Sequence, residues 1–546
     1  MKDFTTMLCG MLKDFDDVII YGYMDIGVTV LDCIIDLETD IRIGNYSGRV
    51  KYFATSDRVR DSARTEIKGI KIKSIYDLTT YSKKALVIVA TKEKHHNTIQ
   101  NLLDELGFKN ILFVLHEHYC EIREIVENHR GIVNTQIGQY QLNHSIKLDR
   151  LRRRISEGKK VKVFFVTHDS AVFGAASVYR QMESDSLFEP YIYVVSRRDV
   201  TYRDFYRDVK ADVSFFESRG YRVICGYDEN ENLRDLHEFA PDIVFYDIPK
   251  LYGAGRGFCY RLDRINWEYL TCYIPYGILM VDSFYYHYHI RCIRETWKFF
   301  VDTNASYKRV MADGDFSGFN MILSGYPKFD DFRERKDYKL PQKIDNGNPT
   351  VIYAPHHSLG VSNNFATFDL YGEKIYNLAK DNSNINFVFK PHPLLRFQVK
   401  TRFKEGLTKV SPEDYKDYLR RWQELPNAVI VEGGDYIELF KRSACMITDC
   451  GSFIGEYLPS GHPCIYIFNP RKKNQEDVYT PLAQRILDSY YITKTEEELD
   501  AAINEVVLRR IDVKKEKREL LLKSEFSSIG NAGERICKYL RDELTR

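Results

Sequence analysis

The chain has 546 residues, of which 44% are hydrophobic and 29% are charged. This length predicts three or four domains of about 150 residues each, and the composition excludes disordered and integral membrane proteins. Because 79 basic residues nearly balance 78 acidic ones, no net field would hold the whole chain on nucleic acid or anionic lipid, and no nucleic-acid partner is expected.

The cysteines and the N-terminus predict a cytoplasmic protein. The eleven cysteines are scattered and lack the paired spacing of a zinc site, which is typical of reduced thiols. Acidic residues interrupt the first apolar stretch, so it does not resemble a secretory signal. No apolar run approaches the roughly 20 residues that span a bilayer, so any membrane contact, such as one on the inner face of a bacterial membrane, must be peripheral.

Residues 1–130 predict a small Rossmann-like α/β domain. Its apolar runs DVIIYG, ALVIVAT and NILFVLH alternate with amphipathic segments such as KHHNTIQNLLDELG, the pattern of a parallel sheet. Gly22 and Gly27 lie where a dinucleotide-binding turn would lie, but the glycine between them is missing. A phosphate would be crowded there, so a role in acceptor binding or assembly is favoured.

Four further segments follow. Residues 131–160 end in the basic stretch LDRLRRRISEGKK, which predicts a solvated helical linker or a face for anionic groups. Residues 161–327 contain seven strand-like runs and residues 328–495 contain five, which predict two doubly wound α/β domains. Residues 496–546 predict helices that pack across both domains, with a membrane-surface helix as the alternative. The carboxyl ends of the two sheets should face a common cleft, where ligands bind.

The strongest candidate site lies in the run ACMITDCGSFIGEY. A strand ends at Thr448 and Asp449, a turn passes through Gly451 and Ser452, and a helix opens at Phe453. Free backbone N–H groups and the helix dipole at such a turn favour an anionic phosphate. Ser452 either donates to that phosphate or only caps the helix.

A neighbouring strand end, FKPHPLLRF, supplies Lys390, His392 and Arg396. The two prolines that flank His392 stiffen its backbone, so its imidazole is held on a loop. A cation and a histidine at a strand end suit a diphosphate whose charge grows as the bond to it breaks. Together the two strand ends predict a pocket for the phosphates of a nucleotide-activated donor.

Four segments, in the same order, resemble the CDP-glycerol glycerophosphotransferase family of teichoic acid and capsule polymerases. LSGYPKFDDF resembles that family's Gly-Tyr-Pro-Arg-x-Asp segment, with Lys in place of Arg. TVIYAPHHS resembles Tyr-Ala-Pro-Thr-Trp-Arg, with His-His-Ser in place of the last three. FKPHP resembles Lys-x-His-Pro, and ITDCGSF resembles Ile-Thr-Asp-Tyr-Ser-Ser. The retained residues are Gly325, Tyr326, Pro327, Asp330, Tyr353, Ala354, Pro355, Lys390, His392, Pro393, Ile447, Thr448, Asp449 and Ser452.

The resemblance implies a GT-B fold, two Rossmann-like domains facing a cleft, and a transferase that requires no cofactor or metal. It implies that His392 is catalytic and that the donor diphosphate and nucleotide contact a larger set. That set is Lys390, Thr448, Asp449, Gly451, Ser452, Phe453, Glu456, Gly325, Tyr326, Pro327, Lys328, Pro355, His356 and His357.

The sequence departs from the family's pattern in the domain that would bind the acceptor. The family's Trp-His-Gly motif corresponds to CYIPYG, with Tyr276 in place of the candidate base and Gly277 retained. A tyrosine with a pKa near 10 is a poor base at neutral pH. His168 and Asp169, at the end of the first strand of that domain, are the candidate replacements, and Asp247 is a weaker one.

Three other signals are set aside. Asp313 and Asp315 mimic a metal-binding Asp-x-Asp pair but follow a helical pattern, which favours a turn. The glycine-rich segment 253–257 lacks the flanks of a phosphate loop. The histidines of FYYHYHI alternate with tyrosines, which indicates a packed aromatic surface.

The leading hypothesis is therefore transfer of a polyol phosphate from CDP-glycerol or CDP-ribitol to a hydroxyl of a surface polymer or lipid-linked primer, with release of CMP. A GT-B glycosyltransferase that uses a sugar nucleotide and a non-catalytic nucleotide-binding homologue are the alternatives. The sequence does not indicate an oligomeric state.

Overall fold

The computed structural model describes residues 4–38, 49–56, 66–67, 70–170, 173–196, 205–247, 262–289, 291–312, 318–333, 340–360, 365–432, 436–472, 475–526 and 529–546. These residues form three sheets, one in each predicted α/β segment of the chain. Apolar residues of the strands are buried between helices on both faces of the sheets, which is typical of parallel sheets.

The first sheet has the order β3-β4-β2-β1-β5-β6 and is parallel except for the β3/β4 pair. Its strands are β1 Val18–Tyr21, β2 Val50–Thr55, β3 Glu66–Ile67, β4 Ile70–Ser74, β5 Leu86–Val89 and β6 Asn110–Phe113. Its helices are α1 Phe4–Leu12, α2 Asp25–Glu38 and α3 His96–Glu105. The three predicted runs are β1, β5 and β6. The other three strands were missed because β3 is short, β4 alternates with lysine, and the apolar run of β2 is interrupted by Lys51.

Helix α4, His116–Ser156, leaves this domain and reaches the next without a break. Its basic end pairs with protein groups: Arg152 donates to the backbone oxygen of Glu543 at 2.7 Å, and Arg154 pairs with Asp242. The buried ring of His144 lies 2.8 Å from the backbone oxygen of Asn266. The predicted linker is thus a helix packed against the second domain.

The second sheet contains all seven predicted strands, parallel and in the order β13-β12-β11-β10-β7-β8-β9. They are β7 Val161–Thr167, β8 Phe188–Val194, β9 Val223–Cys225, β10 Ile243–Tyr246, β11 Leu270–Tyr273, β12 Lys298–Val301 and β13 Met321–Leu323. The helices between them are α5 Ala176–Ser184, α6 Phe205–Glu217, α7 Leu262–Glu268, α8 Tyr286–His289, α9 Arg291–Arg294 and α10 Asn304–Ala312.

The third sheet is also parallel, with the order β16-β15-β14-β17-β18-β19. Its strands are β14 Thr350–Ala354, β15 Asn386–Phe389, β16 Ala428–Ile430, β17 Cys445–Thr448, β18 Cys464–Ile467 and β19 Tyr491–Thr493. Only β19 was not predicted. The helices are α11 Phe368–Asp381, α12 Leu395–Lys404, α13 Pro412–Glu424, α14 Ile437–Arg442, α15 Gly451–Tyr457 and α16 Pro481–Asp488.

The C-terminal helices pack across these two domains. They are α17 Glu496–Ala502, which continues as a π-helical turn, α18 Lys515–Glu525 and α19 Ala532–Thr545. Ile536 and Leu540 of α19 are buried in the core of the second domain. On α18, Glu525 pairs with Arg485 of the third domain at 2.7 Å and accepts the N–H of Ala305 of the second at 3.1 Å. Two Rossmann-like domains joined in this way form the predicted GT-B fold.

The N-terminal domain contacts the other two domains where they meet. The N–H of Thr480 donates to the backbone oxygen of Met280 at 3.0 Å, which joins the second and third domains. Lys71 of β4 donates to the backbone oxygen of Asp477 at 2.8 Å, and its Nζ lies 3.8 Å from the Asp282 carboxylate. One lysine therefore touches both sides of the junction. Across the described ranges, no helix is long and apolar enough to cross a membrane.

Candidate active site

Three histidines meet where β14 and β15, neighbouring parallel strands, both end. The ring centroids of His357 and His392 are 4.1 Å apart, and those of His356 and His357 are 4.2 Å apart. The N–H of His392 donates to the backbone oxygen of Pro355 at 3.2 Å, which ties the two loops together. The structure thus brings the predicted catalytic residue His392 together with three predicted donor-site residues, Pro355, His356 and His357.

Burial keeps these imidazoles neutral. It lowers the pKa of His357 to about 4 and that of His392 to about 3, and the nearby His357 ring and the Lys390 charge lower the pKa of His392 further. Burial also holds the pKa of His356 well below its usual value. A neutral imidazole has one N–H and one lone pair, so its hydrogen bonds determine what it offers a ligand.

His392 is set as a hydrogen-bond donor. Its Nδ1 accepts the backbone N–H of Leu394 at 3.1 Å, so the proton of the neutral ring is on Nε2. One nitrogen of each of the three rings lies within 4.8 Å of one nitrogen of each other ring, a spacing at which three histidines could hold one metal ion. A ring that presents N–H suits an anion better than a cation, because a metal ligand must offer a lone pair.

Lys390 belongs to a buried charged group. Burial and the charge of Lys328 lower the pKa of Lys390 to about 8. Its Nζ lies 5.2 Å from the ring centroid of Tyr436, and the Nζ of Lys328 lies 4.6 Å from the same ring. The Tyr436 hydroxyl bonds to Glu456, whose carboxylate is 3.4 Å from Lys328. Two lysines and one glutamate leave this pocket with a net positive charge.

Helix α15 begins at Gly451 rather than at the predicted Phe453. Ser452 therefore lies in the first turn and is exposed, and its Oγ is 3.3 Å from the Cys450 sulfur. The residue before the helix is Cys450, so Ser452 does not cap the helix end. Phe453 packs its ring 5.4 Å from the Tyr436 ring. Ser452 is thus placed to meet a ligand at the start of α15.

Asp449 and Thr448 organise the loops instead of facing a ligand. The buried Asp449 carboxylate accepts the N–H of His356 at 2.6 Å and the N–H and hydroxyl of Thr367 at 2.5 and 2.8 Å. Burial raises its pKa to about 6, although these bonds oppose the shift. The Thr448 hydroxyl donates to the backbone oxygen of Ala354 at 2.6 Å. Both side chains fix the segment that carries the histidines.

On the acceptor side, the structure pairs His168 with Asp247 at the ends of β7 and β10. The Nδ1 of His168 is 3.9 Å from an Asp247 oxygen, and the His168 side chain has 0% exposure. An acceptor hydroxyl therefore cannot reach His168 without movement of the surrounding groups. Asp169 is half-buried and lies beside Asp212, whose carboxylate accepts the N–H of Ser170 at 2.9 Å.

Tyr276 and Gly277 follow β11 at the carboxyl end of the second sheet. The hydroxyl of Tyr326 donates to the backbone oxygen of Tyr276 at 2.5 Å. The Tyr288 hydroxyl, which donates to the Asp302 carboxylate at 2.6 Å, lies 3.4 Å from the backbone oxygen of Gly277. Burial raises the pKa of Tyr326 well above its usual value, so this hydroxyl stays protonated. The Tyr276 ring is 5.5 Å from the ring of the buried His287, which fits the predicted aromatic packing.

The Gly-Tyr-Pro segment joins the domains. Gly325 adopts a φ of +89°, which glycine tolerates best. The backbone oxygen of Pro327 accepts the Ser177 hydroxyl at 3.0 Å, and the Asp330 carboxylate accepts the N–H of Gly533 at 2.7 Å. Pro327 and Asp330 thus fix the segment in which the chain passes from the second domain to the third. The glycine-rich segment 253–257 and the pair Asp313 and Asp315 lie outside the described residues.

Tyr436 is the site residue that the sequence did not reveal. It follows the Gly-Gly-Asp run after β16, at the same sheet edge as Lys390 and Ser452. A turn-forming run at the carboxyl end of a parallel strand was the available signal, because those strand ends converge.

Residues 289–541 match the family model of CDP-glycerol:poly(glycerophosphate) glycerophosphotransferases. The predicted resemblance is confirmed over these residues, which include the histidine cluster and the lysine pocket. The match identifies the chain as a transferase. His168, Asp247 and Tyr276 lie outside the matched residues.

No curated protein matches the sequence. Among solved structures, the UDP-GlcNAc 2-epimerase from Neisseria meningitidis bound to UDP-GlcNAc aligns with a TM-score of 0.44 and 15% identity, over 70% of this chain and 100% of that one. The UDP-GlcNAc 2-epimerase from Methanocaldococcus jannaschii has a TM-score of 0.43 and 13% identity, over 70% and 100%. A single-residue variant of the wall teichoic acid polymerase TagF has a TM-score of 0.44 and 11% identity, over 74% and 98%.

Proposed function

Because residues 289–541 match the family model of CDP-glycerol:poly(glycerophosphate) glycerophosphotransferases, we propose that this protein transfers a polyol phosphate from a CDP-polyol. The donor is CDP-glycerol or CDP-ribitol, and the acceptor is a hydroxyl of a cell-surface polymer or of its lipid-linked primer. The acceptor oxygen attacks the distal phosphorus, the bond to the bridging oxygen breaks and CMP leaves.

One observation carries this proposal: a buried lysine, Lys390, and a neutral imidazole donor, His392, follow β15, and the strand that leads into α15 ends at the same edge of the parallel sheet. Charge builds on the CMP phosphate as the phosphoanhydride bond breaks, and groups already aimed at that charge lower the barrier. Lys390 supplies positive charge, and His392 supplies the Nε2 proton as a hydrogen bond. Since the pKa of His392 is about 3, it acts at neutral pH as a donor and not as a protonated acid.

Asp449 supports this chemistry indirectly, by holding a loop of the site in place. Its bonds to His356 and Thr367 fix the loop that carries His356 and His357. Positioning of this kind matters because displacement of a catalytic group by about 1 Å can cost about 100-fold in rate.

The acceptor proton must reach a base in the second domain. The pair of His168 and Asp247 is the best candidate among the described residues, because a carboxylate beside an imidazole stabilises the imidazolium formed on proton uptake. Its burial requires that the acceptor or a domain movement opens the cleft.

A donor panel tests the reaction. The purified protein is incubated with CDP-glycerol, CDP-ribitol, UDP-GlcNAc or a GDP-sugar and a glycerophosphate primer, and the released nucleotide is identified. Release of CMP with primer extension is expected. Release of a nucleoside diphosphate would instead indicate a glycosyltransferase. Donor binding without turnover on any acceptor would indicate a non-catalytic homologue.

A further inference from the structure

Helix α12 presents a basic outer face. Arg396, Lys400 and Lys404 are spaced four residues apart, which places them in a row along one side of the helix. All three are exposed, and none forms an ion pair with another residue of the described ranges. The helix sequence LRFQVKTRFK contains no acidic residue. This row is therefore a local positive patch on a chain with almost no net charge.

Large apolar side chains accompany the basic row. Phe397 is 61% exposed, and Leu394, Phe403 and Leu407 are 41%, 42% and 48% exposed. Phe397 is three residues before Lys400, so the two lie side by side on the helix surface. The opposite face is anchored, because Leu395 and Val399 are buried in the core of the third domain. The exposed apolar groups therefore project from a fixed helix.

The helix begins directly beside the active site. The backbone N–H of Leu394 donates to Nδ1 of His392, and Leu394 itself is one of the exposed apolar residues. Whatever binds the outer face of α12 thus lies next to the loop that carries His392.

We propose that the outer face of α12 docks on a bilayer that contains anionic lipids. Basic residues beside exposed Phe and Leu suit an interface in which the cations meet lipid phosphates and the apolar groups enter the acyl boundary. A soluble polyanion would use the cations alone and leave the Phe and Leu side chains in water. Docking by this face brings the His392 loop to the membrane surface, where a lipid-linked acceptor is available. The docking itself does not rest on the proposed transferase activity.

Vesicle sedimentation with the full chain, in the absence of any donor, tests this. Vesicles of phosphatidylcholine alone are compared with vesicles that also contain phosphatidylglycerol, at low and high salt. The test variant combines Phe397→Ser with Lys400→Glu. The control combines Leu520→Ser with Lys523→Glu on α18, where Leu520 is 67% exposed and the spacing is the same.

The expected result is salt-sensitive binding to the anionic vesicles that falls about tenfold or more in the α12 variant and is unchanged in the control. Unchanged thermal melting must accompany the loss. Four results would overturn the proposal. They are equal binding to both vesicle types, an equal loss of binding in the control variant, binding only to soluble poly(glycerol phosphate), and no binding to vesicles at all. Because no donor is present, each of these outcomes leaves the proposed transferase reaction standing.

Discussion

The buried ammonium of Lys390 should give the reaction an alkaline limit. Burial and the neighbouring Lys328 charge lower its pKa to about 8, whereas most lysines stay charged beyond pH 10. At pH 7 about nine-tenths of the molecules carry this charge, and at pH 9 about one-tenth do. If the charge is needed to bind the donor diphosphate, kcat/KM should fall about tenfold between these values, or about 1.4 kcal/mol.

The assay measures kcat/KM for CDP-glycerol from pH 6.5 to 9.5, because this ratio reports the ionisation of free enzyme. Lys390→Arg should flatten the alkaline limb, since a guanidinium stays charged throughout. Its activity at pH 7 should fall, because the longer planar group disturbs the contact with Tyr436.

Lys472 offers a matched control. Burial also lowers its pKa to about 8, but its Nζ lies over the Phe365 ring at 4.5 Å, whereas those of Lys390 and Lys328 lie over the Tyr436 ring. Lys472→Arg should leave the pH profile as it is. An inflection that disappears in Lys472→Arg, or one that persists near pH 8 in Lys390→Arg, would refute the role given to Lys390.

Three further substitutions separate catalysis from stability. His392→Ala should lower kcat by about 100- to 1000-fold with unchanged thermal melting, as for loss of a donor to developing charge, and full turnover would sink the assignment. Asp449→Asn should lower the free energy of unfolding by about 1–3 kcal/mol in a urea titration, because the amide lacks one buried acceptor, and wild-type stability would contradict its role in the loop. Asp330→Ala should cost about 0.5–2 kcal/mol, because its carboxylate accepts the N–H groups of Ala532 and Gly533 in the first turn of α19, and a drop in kcat/KM at wild-type stability would show a direct role instead.

The sequence predicted strands best where they are long and apolar. All seven strands of the second sheet and five of the third follow such runs, because a strand buried on both faces is apolar throughout. Short or edge strands such as β4 and β19 give weaker patterns, since exposed positions accept lysine or threonine. Helix α15 begins two residues earlier than predicted, because helix starts are poorly fixed by sequence.

The sequence predicted most residues of the candidate site, but it predicted neither Tyr436 nor the contacts that orient these side chains. Lys390 and His392 follow a strand that ends at the cleft, so their position could be predicted from the parallel topology. The partners of Asp449 come from a loop about 80 residues earlier in the chain, and no local pattern reports such a contact. The ring nitrogen of His392 that carries the proton is determined by the backbone N–H of Leu394, which reaches Nδ1 only in the folded loop.

The buried face of α19 has a consequence for synthesis. Ile536 and Leu540 complete the core of a domain whose first strand, β7, begins at Val161. The ribosome therefore releases most of that domain long before the residues that finish its core emerge. A premature stop shortly before Ala532 would leave every predicted site residue in the product, yet the acceptor-side domain would lack a helix that covers its core.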